Sequence, residues 1–188
     1  MSKNKVKFGL KNVYYATITE GEGGTITYGT PVPIPGAVSM SLAPQGDTET
    51  FYADDVAYYV STGNNGYQGD LEFAIIPDSF RKDVLAEKED ATDKVLMEYS
   101  NAEAKPFALL YQFTGDQNNS LRVLYNCSAA RVSEESSTIN NSKTPSTDKL
   151  TITASPRADG LVKAKTTDET TESVRQNWFK SVWVPDAA

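Results

Sequence analysis

Residues 107–132, FALLYQFTGDQNNSLRVLYNCSAARV, decide the fold class of this 188-residue chain. Two runs rich in apolar and aromatic residues, Phe107 to Phe113 and Leu121 to Val132, are typical of strands. Between them stands Gly115-Asp116-Gln117-Asn118-Asn119, a cluster of turn-forming residues. The pattern predicts a β-hairpin near the centre of a mainly β protein.

Further strands are predicted on both sides of this hairpin, at 12–19, 25–28, 36–42, 71–75, 95–99, 149–155 and 161–166. Several of them alternate apolar and polar residues, which is typical of a strand with one face on a core. The residues expected on such buried faces are Val38, Met40, Leu42, Leu71, Phe73 and Ile75. In the run from Leu121 to Val132, Leu121, Val123, Tyr125 and Cys127 share one parity and are expected on one face.

Two short helices are expected beside the strands. Pro77-Asp78-Ser79 resembles a helix start, and helical spacing of apolar residues extends it over 78–88. A second helix is expected over 171–180, preceded by a capping box at 166–169. The stretch 133–148 is rich in Ser and Thr and is expected to be a flexible loop.

Composition restricts the chemistry. A chain of this length fits one domain, 1–188, that can bury roughly 70% of its unfolded surface without disulfides or metals. Histidine is absent, which removes the usual general base and the commonest transition-metal ligand. The one cysteine, Cys127, is expected to be a buried apolar side chain. No nucleotide-binding or EF-hand motif is present, so no catalytic residue, cofactor or metal site is predicted.

Charge and hydropathy suggest where the chain acts. The net charge is −7, yet the first eleven residues contain four lysines and no acid, and 47–103 contain fourteen acidic residues against four basic ones. A basic arm, 1–11, that attracts the acidic middle of another copy is one interpretation of this asymmetry, and an ordinary solvated surface is the more usual one. Neither a signal-peptide core nor a membrane-spanning stretch is seen, so the protein is expected in the cytosol until it is assembled or released.

Residues 45–70, QGDTETFYADDVAYYVSTGNNGYQGD, contain more aromatic and acidic surface than one core can use. If the strand ran without interruption, Thr50, Tyr52, Val56, Tyr58 and Val60 would share one face. Both faces would then be partly apolar, which favours a loop or hairpin that projects between two core strands.

Three interpretations of this segment are open. Asp54-Asp55 as an acid–base or calcium site is disfavoured, because neighbouring strand residues point to opposite faces. Tyr52, Tyr58, Tyr59 and Tyr67 as a sugar-stacking surface would make the chain a small β-sandwich carbohydrate-binding module. Tyrosines are also typical hot spots between proteins, so self-assembly explains the segment best. Trp178, Phe179 and Trp183 belong either to the core or to a subunit contact.

The order of several segments resembles the major tail proteins, or tail tube proteins, of siphophages that infect Gram-positive bacteria. The segments are KFGLKNVYYATI (7–18), PIPGAVSMSL (33–42), ETFYADDVAYY (49–59), NNGYQGDLEFAIIPDSF (64–80) and FALLYQF (107–113). The resemblance implies a β-sandwich or barrel of the tail tube type with one flanking helix, a long projecting loop or hairpin and a short C-terminal helix.

It further implies that six copies close into a ring and that rings stack into the tube through which DNA leaves the virion, without specific DNA binding. Tail initiator, tape measure and terminator proteins are the other implied partners. The arm 1–11, the segment 45–70 and the C-terminal segment 167–188 would contact neighbouring copies. The candidate subunit-interface residues are Lys3, Lys5, Lys7, Phe51, Tyr52, Asp54, Asp55, Tyr58, Tyr59, Tyr67, Trp178 and Trp183.

Overall fold

A computed structural model describes residues 6, 8–21, 25–115, 119–136, 138 and 145–185. Its strands are β1 (Leu10–Glu20), β2 (Ile26–Tyr28), β3 (Val32–Pro33), β4 (Ala37–Gln45), β5 (Thr48–Ala53), β6 (Val56–Thr62), β7 (Gly66–Phe73), β8 (Lys88–Glu89), β9 (Leu96–Met97), β10 (Phe107–Phe113), β11 (Leu121–Ala129), β12 (Asp148–Ala154) and β13 (Lys163–Lys165). The helices are α1 (Asp78–Asp83) and α2 (Glu172–Asn177). The prediction of a mainly β protein is confirmed.

One antiparallel sheet organises the described part of the chain. Its order is β2-β1-β10-β11-β12-β7-β4, with β3 paired to β1 and β13 to β11. The predicted central hairpin is present as the β10–β11 pair, in which Leu110 lies opposite Val123. Residues 116–118 of its turn lie outside the described residues, as do 22–24 between β1 and β2.

The sheet curls until its two ends approach each other. Pro33 pairs with Tyr14 on β1, whereas Ala37 already pairs with Phe73 on β7 at the far end of the strand order. Four residues of chain span at most about 14 Å, so β1 and β4 must lie near each other. The ladder stays open among the described residues, which makes this a curled sheet and not a closed barrel.

Both faces of the central strands are buried. One face carries the larger core, which includes Tyr15, Phe107, Leu109 and Leu124, and helix α1 covers it. Phe80 of α1 makes edge-to-face contacts with Tyr15 and Phe107 at centroid distances of 5.1 and 5.4 Å. The opposite face carries a smaller core of seven buried residues: Ala16, Ala108, Leu110, Leu121, Val123, Tyr125 and Trp178.

Both helices are shorter than predicted. The segment 78–88 stops being helical after Asp83, and Ala86 takes a left-handed conformation with φ of 59° that turns the chain into β8. The predicted capping box does not form, because α2 begins after Thr171 and the Thr166 hydroxyl instead accepts the Leu121 N–H at 3.0 Å. Neither described helix is long and apolar enough to cross a membrane.

Three predicted burial patterns are wrong, two of them because of β-bulges. Val38 is the extra residue of a bulge in β4 and is 54% exposed. A second bulge, in β11, turns Cys127 to the larger core while Tyr125 stays on the smaller one. Ile75 follows the end of β7 and is 73% exposed, so its neighbour Ile76 is buried in its place.

The predicted burial of Cys127 itself is confirmed, since the thiol is free and fully buried. The prediction of a flexible loop over 133–148 falls in part on residues 137 and 139–144, which lie outside the described residues. Ser133 bridges Lys149 next to β12, so the start of this stretch is attached to the sheet.

Candidate assembly surface

The segment between β4 and β7 is a two-stranded hairpin, β5–β6, which projects from the sheet. The ladder leaves the sheet at Gln45, opposite Gly66, and continues outward through the Gly63 N–H, which donates to the Asp47 carbonyl at 2.9 Å. Thr48 and Thr62 then begin the pairing of β5 with β6. The hairpin is therefore a direct extension of the β4–β7 pair, as expected for a projecting hairpin.

Asp54 and Asp55 form the turn at the tip. Their φ angles are 53° and 60°, so both residues are left-handed, as the two central residues of a type I′ turn must be. Aspartate tolerates this conformation better than most residues. The prediction that these side chains diverge because they lie in one continuous strand is wrong in its reason, since they are turn residues.

The pairing of β5 with β6 places several side chains on a different face from the one that simple alternation along the sequence predicts. Phe51 lies opposite Tyr59 and Ala53 opposite Val56, while a bulge leaves Tyr58 as the extra residue. Directly opposite residues share a face, so Val56 lies with Ala53 and Phe51 and not with Tyr52. The turn and the bulge each shift the alternation.

The hairpin exposes a large apolar area on both faces. Every residue of β6 is exposed. Six large apolar side chains are more than half exposed, namely Phe51, Tyr52, Val56, Tyr58, Tyr59 and Val60. A hairpin of two strands is at best marginally stable in water by itself, and an apolar patch of this kind usually marks an interaction site.

The hairpin is also acidic. Residues 47–62 contain Asp47, Glu49, Asp54 and Asp55 and no Lys or Arg. None of these four carboxylates forms an ion pair with a described residue. An interface that receives the hairpin must therefore supply apolar surface and positive charge.

The other candidate interface residues fall into different environments. Trp178 is 2% exposed and belongs to the smaller core, so its assignment to a subunit contact is corrected to the alternative, a core role. Trp183 stacks on it at 6.3 Å, is 38% exposed, and accepts a hydrogen bond on its carbonyl from the Tyr125 hydroxyl. Lys3, Lys5 and Lys7 lie outside the described residues.

Tyr67 is half-buried where the hairpin joins the sheet. Lys163 of β13 lies 4.1 Å above its ring centroid and donates to its hydroxyl. Its position next to a cation at the base, away from the tip, was not expected from sequence, because the contact joins residues 96 positions apart.

The described residues contain no group of three or more His, Cys, Asp or Glu side chains that could hold a metal ion. The Cys127 thiol is unsuited to nucleophilic chemistry, because burial raises its pKa from 9.0 to about 12. The projecting hairpin is thus the feature of the described residues that is most typical of an interaction site.

A family model described as phage tail tube protein matches residues 2–181. No curated protein matches the sequence significantly.

Two solved structures are similar at low identity. The sheath/tube terminator of the extracellular contractile injection system PVC, in the extended state, has 9% identity, a TM-score of 0.46, and coverage of 83% of this chain and 94% of its own. The tube-terminating cap of the anti-feeding prophage has 11% identity, a TM-score of 0.44, and coverage of 86% and 93%. The match of the family model over residues 2–181 shows that the chain belongs to the phage tail tube protein family and is a structural tail protein, not an enzyme.

Proposed function

We propose that copies of this chain form hexameric rings, and that the rings stack into the tail tube of a siphophage through which DNA is ejected. The sixfold ring is the arrangement implied by the resemblance in sequence. Family membership supports a role in a tube, and the β5–β6 hairpin is the single observation that supports self-assembly.

The hairpin supports assembly because its exposed surface is costly in an isolated chain. Tyr58 is 73% exposed, Tyr52 67% and Tyr59 63%. Burial of apolar surface yields about 25 cal/mol per Å², and tyrosines are enriched among the residues that dominate interfaces. The proposed recipient of these tyrosine side chains is a neighbouring copy, in the same hexameric ring or in the adjacent one.

Other parts of the chain are proposed to join the same contacts. They are the arm with Lys3, Lys5 and Lys7, the exposed side of Trp183, and the segment 167–188 around it. Tail initiator, tape measure and terminator proteins are the proposed further partners, and assembly is proposed to start in the host cytoplasm.

The negative charge of the chain suits passage of DNA. DNA carries one negative charge per roughly 1.7 Å of its axis and binds tightly to basic surfaces. A chain with a net charge of −7 would repel it. DNA is therefore proposed to pass through the lumen without specific binding.

The test is electron microscopy of the purified protein over a concentration series. Negative stain is expected to show tubes above a critical concentration, and averaged end views are expected to show six subunits. Protein that stays monomeric at every concentration and binds glycans would contradict the proposal and favour the carbohydrate-binding alternative.

A further inference from the structure

A pocket of about 220 Å³ lies on the larger-core face, where β4 and β7 approach β10, β11 and β13. Its apolar lining includes Leu42, Phe113 and the half-buried ring of Tyr67, and its charged lining consists of Arg122 and Lys163. We call it the basic-aromatic pocket. Of these residues, only Tyr67 is among the candidate interface residues predicted from the sequence.

The two cations of the pocket lie against aromatic rings and have no counter-charge among the residues that the structure describes. The Arg122 guanidinium carbon lies 4.8 Å from the Phe113 ring centroid, and Lys163 lies over Tyr67. Neither cation forms an ion pair with any described residue. The Arg122 Nε–H is buried and has no acceptor among the described residues, which is an unfavourable state for a charged group.

Strand register adds a third positive charge. On the β11–β13 ladder, Arg122 lies directly opposite Lys165. Like charges that face each other across strands are destabilising. The β11–β13 ladder therefore holds the positive charges of Arg122 and Lys165 close together, and an incoming anion would offset them. The neighbouring aromatic rings favour an anion that is carried on an apolar or aromatic segment.

The tip of the β5–β6 hairpin has these properties. Asp54 and Asp55 form its turn, and the exposed side chains of Tyr52 and Tyr58 follow two and three residues away along the two strands. Among the described residues, the cations of the pocket have hydroxyl and aromatic partners but no carboxylate, and the carboxylates of the hairpin have no cation. The pocket and the hairpin tip are therefore complementary in charge, and both present aromatic surface that could pack together.

A hairpin cannot readily reach the pocket of its own chain. Tyr67 of the pocket pairs with Pro44 at the base of the hairpin, whereas the tip begins after Ala53. Nine residues of strand extend about 30 Å, which separates tip from base. The recipient pocket must belong to another molecule.

We propose that the hairpin tip, led by Asp54 and Asp55, docks in the basic-aromatic pocket of a second copy of this chain. The inference rests on the proposed function, because it names the contact through which copies join. Oppositely charged groups then meet in a partly dry site, and aromatic rings pack around them.

A double-mutant cycle tests the contact. Asp54→Asn with Asp55→Asn removes both charges and retains the turn, since Asn also tolerates positive φ. Lys163→Gln removes a charge from the pocket. Each variant is expected to raise the critical concentration for tube formation by about tenfold or more, because removing one partner of a desolvated pair is costly.

The combination of these changes distinguishes a direct contact from a general effect of charge. If the groups touch, the combined variant is expected to be little worse than the worse single one. Lys105→Gln, an exposed lysine beside α1, is the matched control and is expected to leave assembly unchanged. If the effects of the hairpin and pocket variants on the free energy of assembly are fully additive, the inference is overturned.

Cross-linking tests the geometry. A chain with Asp55→Cys is mixed with a chain of different tag size that carries Lys163→Cys, and the buried Cys127 does not interfere. Assembly is expected to yield a mixed disulfide dimer on a non-reducing gel, and Lys105→Cys is expected to yield none. Equal cross-linking to positions 163 and 105 would overturn docking in the pocket.

The outcomes separate this inference from the proposed function. Wild-type tubes together with unimpaired Lys163→Gln tubes would overturn the pocket contact alone. Lys163→Gln that weakens binding of a single-stranded oligonucleotide and leaves assembly intact would also overturn it, in favour of a nucleic-acid contact. Wild-type protein that never assembles would overturn both.

Discussion

Phe51 and Tyr59 lie directly opposite each other in the β5–β6 hairpin, and their side chains are 62% and 63% exposed. In a folded sheet, an aromatic pair of this kind usually packs on a core and stabilises the pairing of its strands. Here no described element covers the pair. The acidic β5–β6 hairpin therefore presents exposed aromatic surface, and such a surface is suited to contact with a neighbouring subunit.

Replacement of Tyr58 and Tyr59 by Ala is expected to impair tube growth and leave the monomer folded. Both rings are exposed, so folding loses little, whereas truncation of a central interface tyrosine removes about 2 kcal/mol or more of association energy. Tube yield by electron microscopy and the urea midpoint are the two measurements. Tyr99→Ala, outside the hairpin, is the control, and unchanged tube yield in the double variant would contradict the role of the hairpin.

Two neighbouring isoleucines are expected to differ sharply in their effect on stability. Ile76→Ala removes a buried side chain and should lower the free energy of unfolding by about 2–5 kcal/mol. Ile75→Ala changes a side chain that is 73% exposed and should stay within about 0.5 kcal/mol of wild type. Urea unfolding measures the same isoleucine-to-alanine change at the two positions. Similar losses of unfolding free energy in the two variants would contradict the exposed position of Ile75.

Gly66 is expected to be far less replaceable than Gly160. Both have positive φ, 99° and 83°, so alanine at either position costs about 1–2 kcal/mol in backbone strain. A Cβ at Gly66 would also lie 1.8 Å from the Ala154 carbonyl oxygen, whereas Gly160 has open space. Chemical denaturation should show a larger loss for Gly66→Ala, and equal losses would contradict the close approach of β7 to β12.

Cys127 is expected to make folding sensitive to alkaline pH. Burial raises its pKa from 9.0 to about 12, so the folded state retains a proton that the unfolded state releases. Its contribution to stability is full below pH 9 and is lost as pH rises toward 12, by at most about 1.4 kcal/mol per pH unit.

Cys127→Ala isolates this effect, because burial also raises the pKa of Tyr15 and Tyr125, which remain in both proteins. The difference in unfolding free energy between wild type and Cys127→Ala should narrow steadily from pH 9 to pH 11. A constant difference would mean that the thiol ionises as readily in the folded protein as in the unfolded one.

Sequence patterns predicted elements best where apolar residues run without interruption. The strand predicted over 107–113 has the same bounds in the structure, and all of its first five residues are buried. Patterns failed where one residue changed the local geometry. Helix α1 ended at Asp83, and the positive φ of Ala86 prevents it from continuing to residue 88. The bulge at Val38 turned an apolar side chain outward. No property of Ala or Val signals such a change.

The candidate interface shows the same division. Aromatic and acidic residues in 45–70 predicted a projecting assembly element, and the hairpin is present. The turn at Asp54-Asp55 and the bulge at Tyr58 changed which side chains share a face. Trp178 was ambiguous in sequence, because a tryptophan near a terminus fits a core or an interface equally well.

By itself, the sequence determined the mainly β class, the position of the hairpin and its acidic, aromatic character. Those properties depend on residue types and short-range periodicity. Only the tertiary structure decided that the sheet curls, that Trp178 is core, and that Arg122 and Lys163 share a pocket with Tyr67. These relationships join residues far apart in the chain, and strand register with its bulges, which no local pattern encodes, brings them together.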